Sequence, residues 1–260
     1  MPRIAVRRTL RVVEYCARVY RRSWRGTLFV TFLSPVLFLA AMGFGLGSFV
    51  DRSGGLTGGL PYAAFLAPGL LAAQGMQSAA FESTYPIMRR IAWTRVYAAM
   101  LATPIGVRDI VVGQLAWIGV RLLLTTSVFF GTMVAFGLVR SPVAALAVGA
   151  ATLTGLAFAA PIMAFTATQR NDQSFNALFR FGITPLFLFS GTFFPVEQLP
   201  AVLQAVAWLT PTYHGVALAR DLALGVATVP GVLVHLSVLV GVIGAGLAAA
   251  LVTFRRALVV

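Results

Sequence analysis

Gln74, Gln77, Ser78, Glu82 and Arg121 are polar side chains inside or at the end of two long apolar stretches, 61–84 and 110–138. In a membrane such groups are costly, and by default they mark a functional path or pairing. Their chemistry is hydrogen bonding and ion pairing. Arg121 lies about eleven residues into 110–138, roughly 16 Å from its start at 1.5 Å per residue. Gln74 falls at a matching depth in 61–84, and Gln77 is one turn nearer the basic end. The spacing predicts that Arg121 faces the bundle and hydrogen-bonds this glutamine face. The alternative is that Arg121 snorkels to the interface. Glu82 closes 61–84 just ahead of a basic loop, where Arg89, Arg90 or Arg95 is the expected partner.

Bond-making chemistry is not expected. His214 and His235 have no second ligand at metal spacing and are expected to fall on separate parts of an outer segment and the last apolar stretch. No metal site is predicted from them. No G-x-S-x-G element is present, and Gly43-Phe44-Gly45-Leu46-Gly47 closes an apolar helix where a dinucleotide loop would follow a strand. Every basic residue is arginine, so a P-loop, which requires lysine, is excluded. ATP and Mg, if used, belong to another polypeptide. Cys16 stands alone, so no disulfide forms within the chain.

The elements that must hold these groups are membrane helices. Hydrophobic residues make up 59% and charged residues 10%, against roughly 25% charged in a soluble domain. Six stretches, 28–50, 61–84, 110–138, 142–168, 177–194 and 231–254, are each near or above the ~20 apolar residues needed to cross the hydrocarbon. With six crossings, sixteen of the twenty arginines fall on one side, which places both termini in the cytoplasm. The net charge of +13 flanks apolar spans and forms no single patch, which argues against nucleic acid as a partner. No cleavable signal is expected, because a long charged stretch precedes the first apolar run.

The fold expected is an all-α membrane protein with further helical pieces at its faces. Val6, Leu10, Val13, Ala17, Tyr20 and Trp24 form a helical stripe in the tail 1–27, flanked by arginines, as in a helix lying on the inner leaflet. Gly26 and Thr27 are expected to turn the chain into the first span. Residues 51–60 read as a Gly-rich outside turn. Ile87 to Ala102, in loop 85–109, reads as a short, basic, half-apolar helix that a cytoplasmic partner can touch. Residues 195–230 are apolar but too short in each helical piece to cross, and fit an outer re-entrant hairpin of pieces near 200–209 and 214–224. Residues 255–260 form a short cytoplasmic tail. Gly43 with Gly47, and Gly241 with Ala245, fit helix-packing faces of small residues.

Phe189-Ser190-Gly191-Thr192-Phe193-Phe194-Pro195, followed by Leu199-Pro200, resembles the signature of ABC-2 type transporter permeases. Leu101-Ala102-Thr103-Pro104 with Ile110 and Gly113, and Pro211-Thr212-Tyr213-His214, resemble two further elements of that family. Phe81 to Tyr85 and the overall size are most similar to its branch of nodulation-type lipo-oligosaccharide exporters and daunorubicin-resistance-type drug exporters. The resemblance covers essentially the whole chain. It implies a six-span half-transporter of the prokaryotic cytoplasmic membrane that pairs with a separate ABC ATP-binding subunit. A second copy or a paralogous permease completes the complex. It further implies a substrate path at Gln74, Gln77, Ser78, Thr184, Phe187 and Ser190, and coupling through Glu82, Arg89, Arg90, Trp93, Arg95 and Tyr97. Gly191 and Pro195 would form an outer gate, with Pro195 ending span five, and the tail helix would be the connecting helix. An ion-coupled secondary carrier is the rival reading; it would favour acidic residues near the midplane. A membrane scaffold that moves nothing explains neither the polar face of 61–84 nor the basic loop.

Overall fold

The computed structural model describes residues 2–53 and 60–259, and every regular element among them is helical. Most of the expected turn 51–60 and the side chain of Trp24 lie outside the described residues. The first helix, α1 (Pro2–Leu39), is one continuous rod, so the turn expected at Gly26-Thr27 is absent. A π-helical turn at Ala40–Leu46 leads into α2 (Gly47–Ser53). Then follow α3 (Tyr62–Ser83), α4 (Tyr85–Met88), α5 (Val96–Leu101) and α6 (Val107–Ala135). A tight connection with a 3-10 turn at Pro142–Ala145 leads to α7 (Leu146–Thr168). A rod made of α8 (Gln173–Ala177), a π-turn (Leu178–Ile183) and α9 (Thr184–Phe189) comes next. The chain closes with α10 (Ala201–Trp208), α11 (Pro211–Leu224) and α12 (Val229–Leu258). Among the described residues, three helices, Val107–Ala135, Pro142–Thr168 and Val229–Leu258, are long and apolar enough to cross a membrane.

Local chemistry sets the helix ends. At the start of α6, the Asp109 carboxylate accepts from the Gly106 N–H at 3.0 Å, placing negative charge on the positive end of the helix. The Thr210 hydroxyl accepts from Tyr213 N and Pro211 opens α11. Gly225 ends that helix at φ +75.

α7 is the central rod and packs against α12, α3, α11 and α6. It can do so because small residues meet backbone to backbone. A Cβ on Gly75 of α3 would lie 2.5 Å from the Ala151 carbonyl oxygen of α7, and one on Gly155 would lie 2.8 Å from the Gly75 oxygen. Only glycine permits that crossing. The last helix packs on α7 through Gly246, beside Pro161, whereas a Cβ on Gly241 would meet nothing within 4 Å among the described residues.

Two apolar clusters fill the bundle. One holds Leu66, Leu70, Phe129, Met133, Leu222 and Leu239; the other, toward the arginine-rich end, holds Met76, Ile87, Tyr97, Ile110, Met163 and Phe254. α1 lies against α6 through Thr9, Val12 and Cys16, with Val12 against Gly113 and the Thr9 hydroxyl donating to Asp109 at 3.4 Å. The packed face is therefore one step round from the stripe read in the sequence, whose Val6 and Leu10 stay exposed.

Candidate functional site

Where α1, α3, α6 and the α8–α9 rod meet, they enclose an open cavity of about 630 Å³. Gln74, Gln77, Ser78 and Glu82 line it from α3, and Arg121 and Trp117 from α6. Phe179, Thr184 and Phe187 close it from the α8–α9 rod, Tyr20 comes from α1, and Arg89 and Arg90 stand at its basic end. The face of α3 is polar because 74, 78 and 82 recur at steps of four, one helical stripe. Gln74 donates to Ser78 Oγ at 3.3 Å along it.

Arg121 faces this cavity, and its partner is Glu82. The guanidinium Nη2 lies 2.8 Å from Glu82 Oε1, with both side chains mostly buried. It also sits 4.2 Å over the Tyr20 ring, which in turn meets Trp117 edge-on at 5.9 Å. Both expected pairings are thus corrected: Arg121 does not bond the glutamines, and Glu82 does not pair with Arg89, Arg90 or Arg95. Arg121 is the cation that the helix crossing brings to Glu82, which offsets one of the three arginines lining the cavity.

The stretch after α3 is three pieces where one helix was expected. α4 runs into a π-turn, Arg89–Trp93, and Arg95 adopts a left-handed φ of 49 before α5 starts. That break turns the segment's residues to different sides. Arg89, Trp93 and Arg95 are exposed, whereas Arg90 and Tyr97 are buried. An exposed docking face therefore has Trp93 without Tyr97. Arg90 and the Tyr97 hydroxyl both donate to Gln114 Oε1 of α6, the latter at 3.2 Å, and Cys16 Sγ of α1 approaches the same oxygen at 3.5 Å. Burial pushes the Tyr97 phenol up to about 12 and raises the Cys16 thiol, so both remain protonated donors. Tyr85 stacks on Phe179 and meets Phe175 edge-on at 5.1 Å, tying α4 to the α8–α9 rod. The Gln114 hub escaped the sequence reading, although Gln114, Trp117 and Arg121 share one face by their spacing of three and four.

At the opposite end, α9 stops at Phe189, so Pro195 does not end that helix; it precedes a 3-10 turn at Val196–Gln198. Gly191 holds φ +82, and Ser190 shares a hydrogen bond of 3.1 Å with Thr192. Ser190 thus lies in a second, smaller cavity of about 240 Å³, apart from the other residues of the expected path. Arg220 of α11 binds this loop: it donates to the Gly191 oxygen at 2.7 Å and the Phe65 oxygen at 3.2 Å, over the Phe65 ring. The histidines, expected apart, are in contact. His214 Nδ1 and His235 Nδ1 are 2.8 Å apart, and His214 Nε2 lies 2.9 Å from the Trp208 oxygen. A carbonyl accepts only, so the neutral pair has His214 protonated at Nε2 and His235 donating from Nδ1. The contact clasps α10, α11 and α12.

A polar-walled cavity within an apolar bundle and a Ser-Gly loop strapped by arginine accompany a sequence match. The profile of the ABC-2 type transporter family matches residues 9–224. The chain belongs to that family. Nodulation protein J of Sinorhizobium fredii (strain NBRC 101917 / NGR234) is 34% identical over 228 residues, covering 85% of each chain. Nodulation protein J of Rhizobium leguminosarum bv. trifolii is 35% identical over 214 residues, 80% of each. Its counterpart in Rhizobium meliloti (strain 1021) is 32% identical over 214 residues, again 80% of each. This ABC-2 chain is a membrane permease of a transport family, a class generally paired with an ABC ATP-binding subunit.

Proposed function

We propose that this permease is the membrane subunit of an ATP-driven exporter that carries an amphipathic molecule outward across the prokaryotic cytoplasmic membrane. The observation that carries the reading is the cavity itself. Its wall combines Gln74, Gln77 and Ser78 with Phe81, Phe179 and Phe187, polar and apolar surface side by side, as an amphiphile requires. A lipid-linked saccharide and a hydrophobic drug both meet that description. Six crossings, both termini inside and the hairpin α10–α11 dipping into the outer leaflet complete the arrangement. A second copy or a paralogue pairs with the chain, and a separate ATP-binding subunit supplies ATP and Mg. That subunit docks on Arg89, Trp93 and Arg95, the exposed side of the segment after α3. The exposed Val6 and Leu10 of α1 rest on inner-leaflet lipid.

The test is transport of a fluorescent glycolipid and of daunorubicin by the reconstituted complex, with wild type beside Gln74→Leu/Gln77→Leu. Export that needs ATP and drops about tenfold in the variant supports the reading; export unchanged in the variant removes the cavity from the path. A specific observation keeps the carrier reading alive: Glu82 is an acid inside the cavity. Transport that survives ATP depletion and collapses with a protonophore would favour it.

Topology has its own check. Single cysteines at Arg140 and Arg95, both exposed, are placed in a Cys16→Ser background that retains a donor to Gln114. An impermeant maleimide is expected to label position 140 in intact cells and position 95 only after lysis. Labelling of 95 in intact cells would reverse the orientation.

The outer loop gives a further expected result. A Cβ on Gly191 would lie 2.7 Å from the Val196 side chain, at a φ that L residues rarely adopt. Gly191→Leu is expected to reduce export several-fold while the complex still co-purifies. Wild-type export would show the loop to be idle.

A further inference from the structure

Gln114 is buried at the centre of the basic end, and its one carbonyl oxygen draws on three separate elements. Arg90 reaches it from the π-turn, Tyr97 from α5 and Cys16 from α1, while Gln114 itself belongs to α6. We propose that Gln114 is the positioning residue that locks the segment 85–101 to α1 and α6, so that the three move as one body. This rests on the reading of that segment as the ATP-coupled element.

A guanidinium in a mostly buried site cannot slip off its acceptor without losing a charge-assisted hydrogen bond. The tie is therefore stiff, whereas Arg89, Trp93 and Arg95 on the exposed side remain available to a partner. α6 carries the displacement onward. Arg121 is seven residues, or roughly 10 Å, along the same face, where it grips Glu82 and the Tyr20 ring. A push on Trp93 then reaches the cavity wall through Gln114, with Arg90 as the strut.

The test needs no substrate. Spin labels at Ala99 and Val120, or at Ala99 and Val234, report segment-to-α6 and segment-to-α12 distances. All three positions are exposed, and none is among the docking residues. The complex, purified with its ATP-binding subunit in the Cys16→Ser background, is measured nucleotide-free and after trapping with ATP and vanadate. In the otherwise wild-type chain, 99–234 is expected to change on trapping while 99–120 stays constant. Gln114→Met, which keeps length and removes the acceptor, is expected to let 99–120 shift by roughly 2 Å or more. Gln114→Glu keeps an acceptor for Arg90 and is expected to restore the fixed distance. Should Gln114→Met fail to assemble, Tyr97→Phe removes one donor without stranding another and is expected to broaden the 99–120 distribution. A 99–120 distance that stays fixed in the assembled Met variant, or in Tyr97→Phe where Met does not assemble, overturns the proposal. A 99–234 distance that never responds to trapping, with Gln114 intact, refutes the coupling reading itself and takes the proposal with it.

Discussion

Glu82→Gln is expected to abolish most export and to lower thermal stability. Removing one partner of a buried ion pair costs about 3–5 kcal/mol, because the remaining charge is stranded. Arg121 and Glu82 are 16% and 17% exposed and line an open cavity, so solvent screens part of that and about 1–3 kcal/mol is expected. Arg121 would keep its position over Tyr20 but lose the carboxylate that directs it. A guanidinium without its carboxylate then faces a cavity that Arg89 and Arg90 also line. The measurement is a melting curve in detergent beside ATP-dependent export, for Glu82→Gln, Arg121→Gln and the double variant. Because the two residues touch, their effects are expected to couple, with the double variant closer to wild type in stability than the sum of the singles. Strict additivity would show that the 2.8 Å contact carries no energy.

Gly75→Leu is expected to be the most damaging single change in the bundle. Its Cβ would stand 2.5 Å from a backbone oxygen of α7, and a backbone atom cannot turn aside as a side chain can. Overpacking in a core costs typically ~1–3 kcal/mol and more where elements must separate. The gap cannot open locally, since Gly155 one turn on is held against the Gly75 oxygen and Leu122 at the same time. Loss of monodisperse protein in detergent is expected. Gly241→Leu, at a site where an added Cβ would meet open space among the described residues, serves as the comparison and is expected to express normally unless a second copy packs there. Equal behaviour of the two variants would remove the α3–α7 crossing as the limiting contact.

Residue types and hydropathy determined a great deal unaided: an all-helical membrane chain without the lysine of a P-loop, and the family signature from Phe189 to Pro200. These are properties of residue types and one-dimensional spacing, so no three-dimensional knowledge is needed to read them. The polar stripe of 74, 78 and 82 was legible for the same reason, because helical period alone places those residues on one face. Partner choice was not. Glu82 has three arginines within thirteen residues, yet pairs with Arg121, thirty-nine residues on. The π-turn at Arg89–Trp93 and the left-handed Arg95 point the nearer cations elsewhere. The same break buried Tyr97 and exposed Trp93, which an unbroken helix would have placed on one side. His214 and His235 lie twenty-one residues apart, yet meet because α11 folds back along α12. Gln114 went unread in the sequence, because only the fold brings α1, α5 and the π-turn to its side-chain oxygen. Spacing along a helix reports which side chains share a face. Which face meets which neighbour depends on where backbones can approach, and at Gly75 and Gly155 that is decided by contacts across the fold.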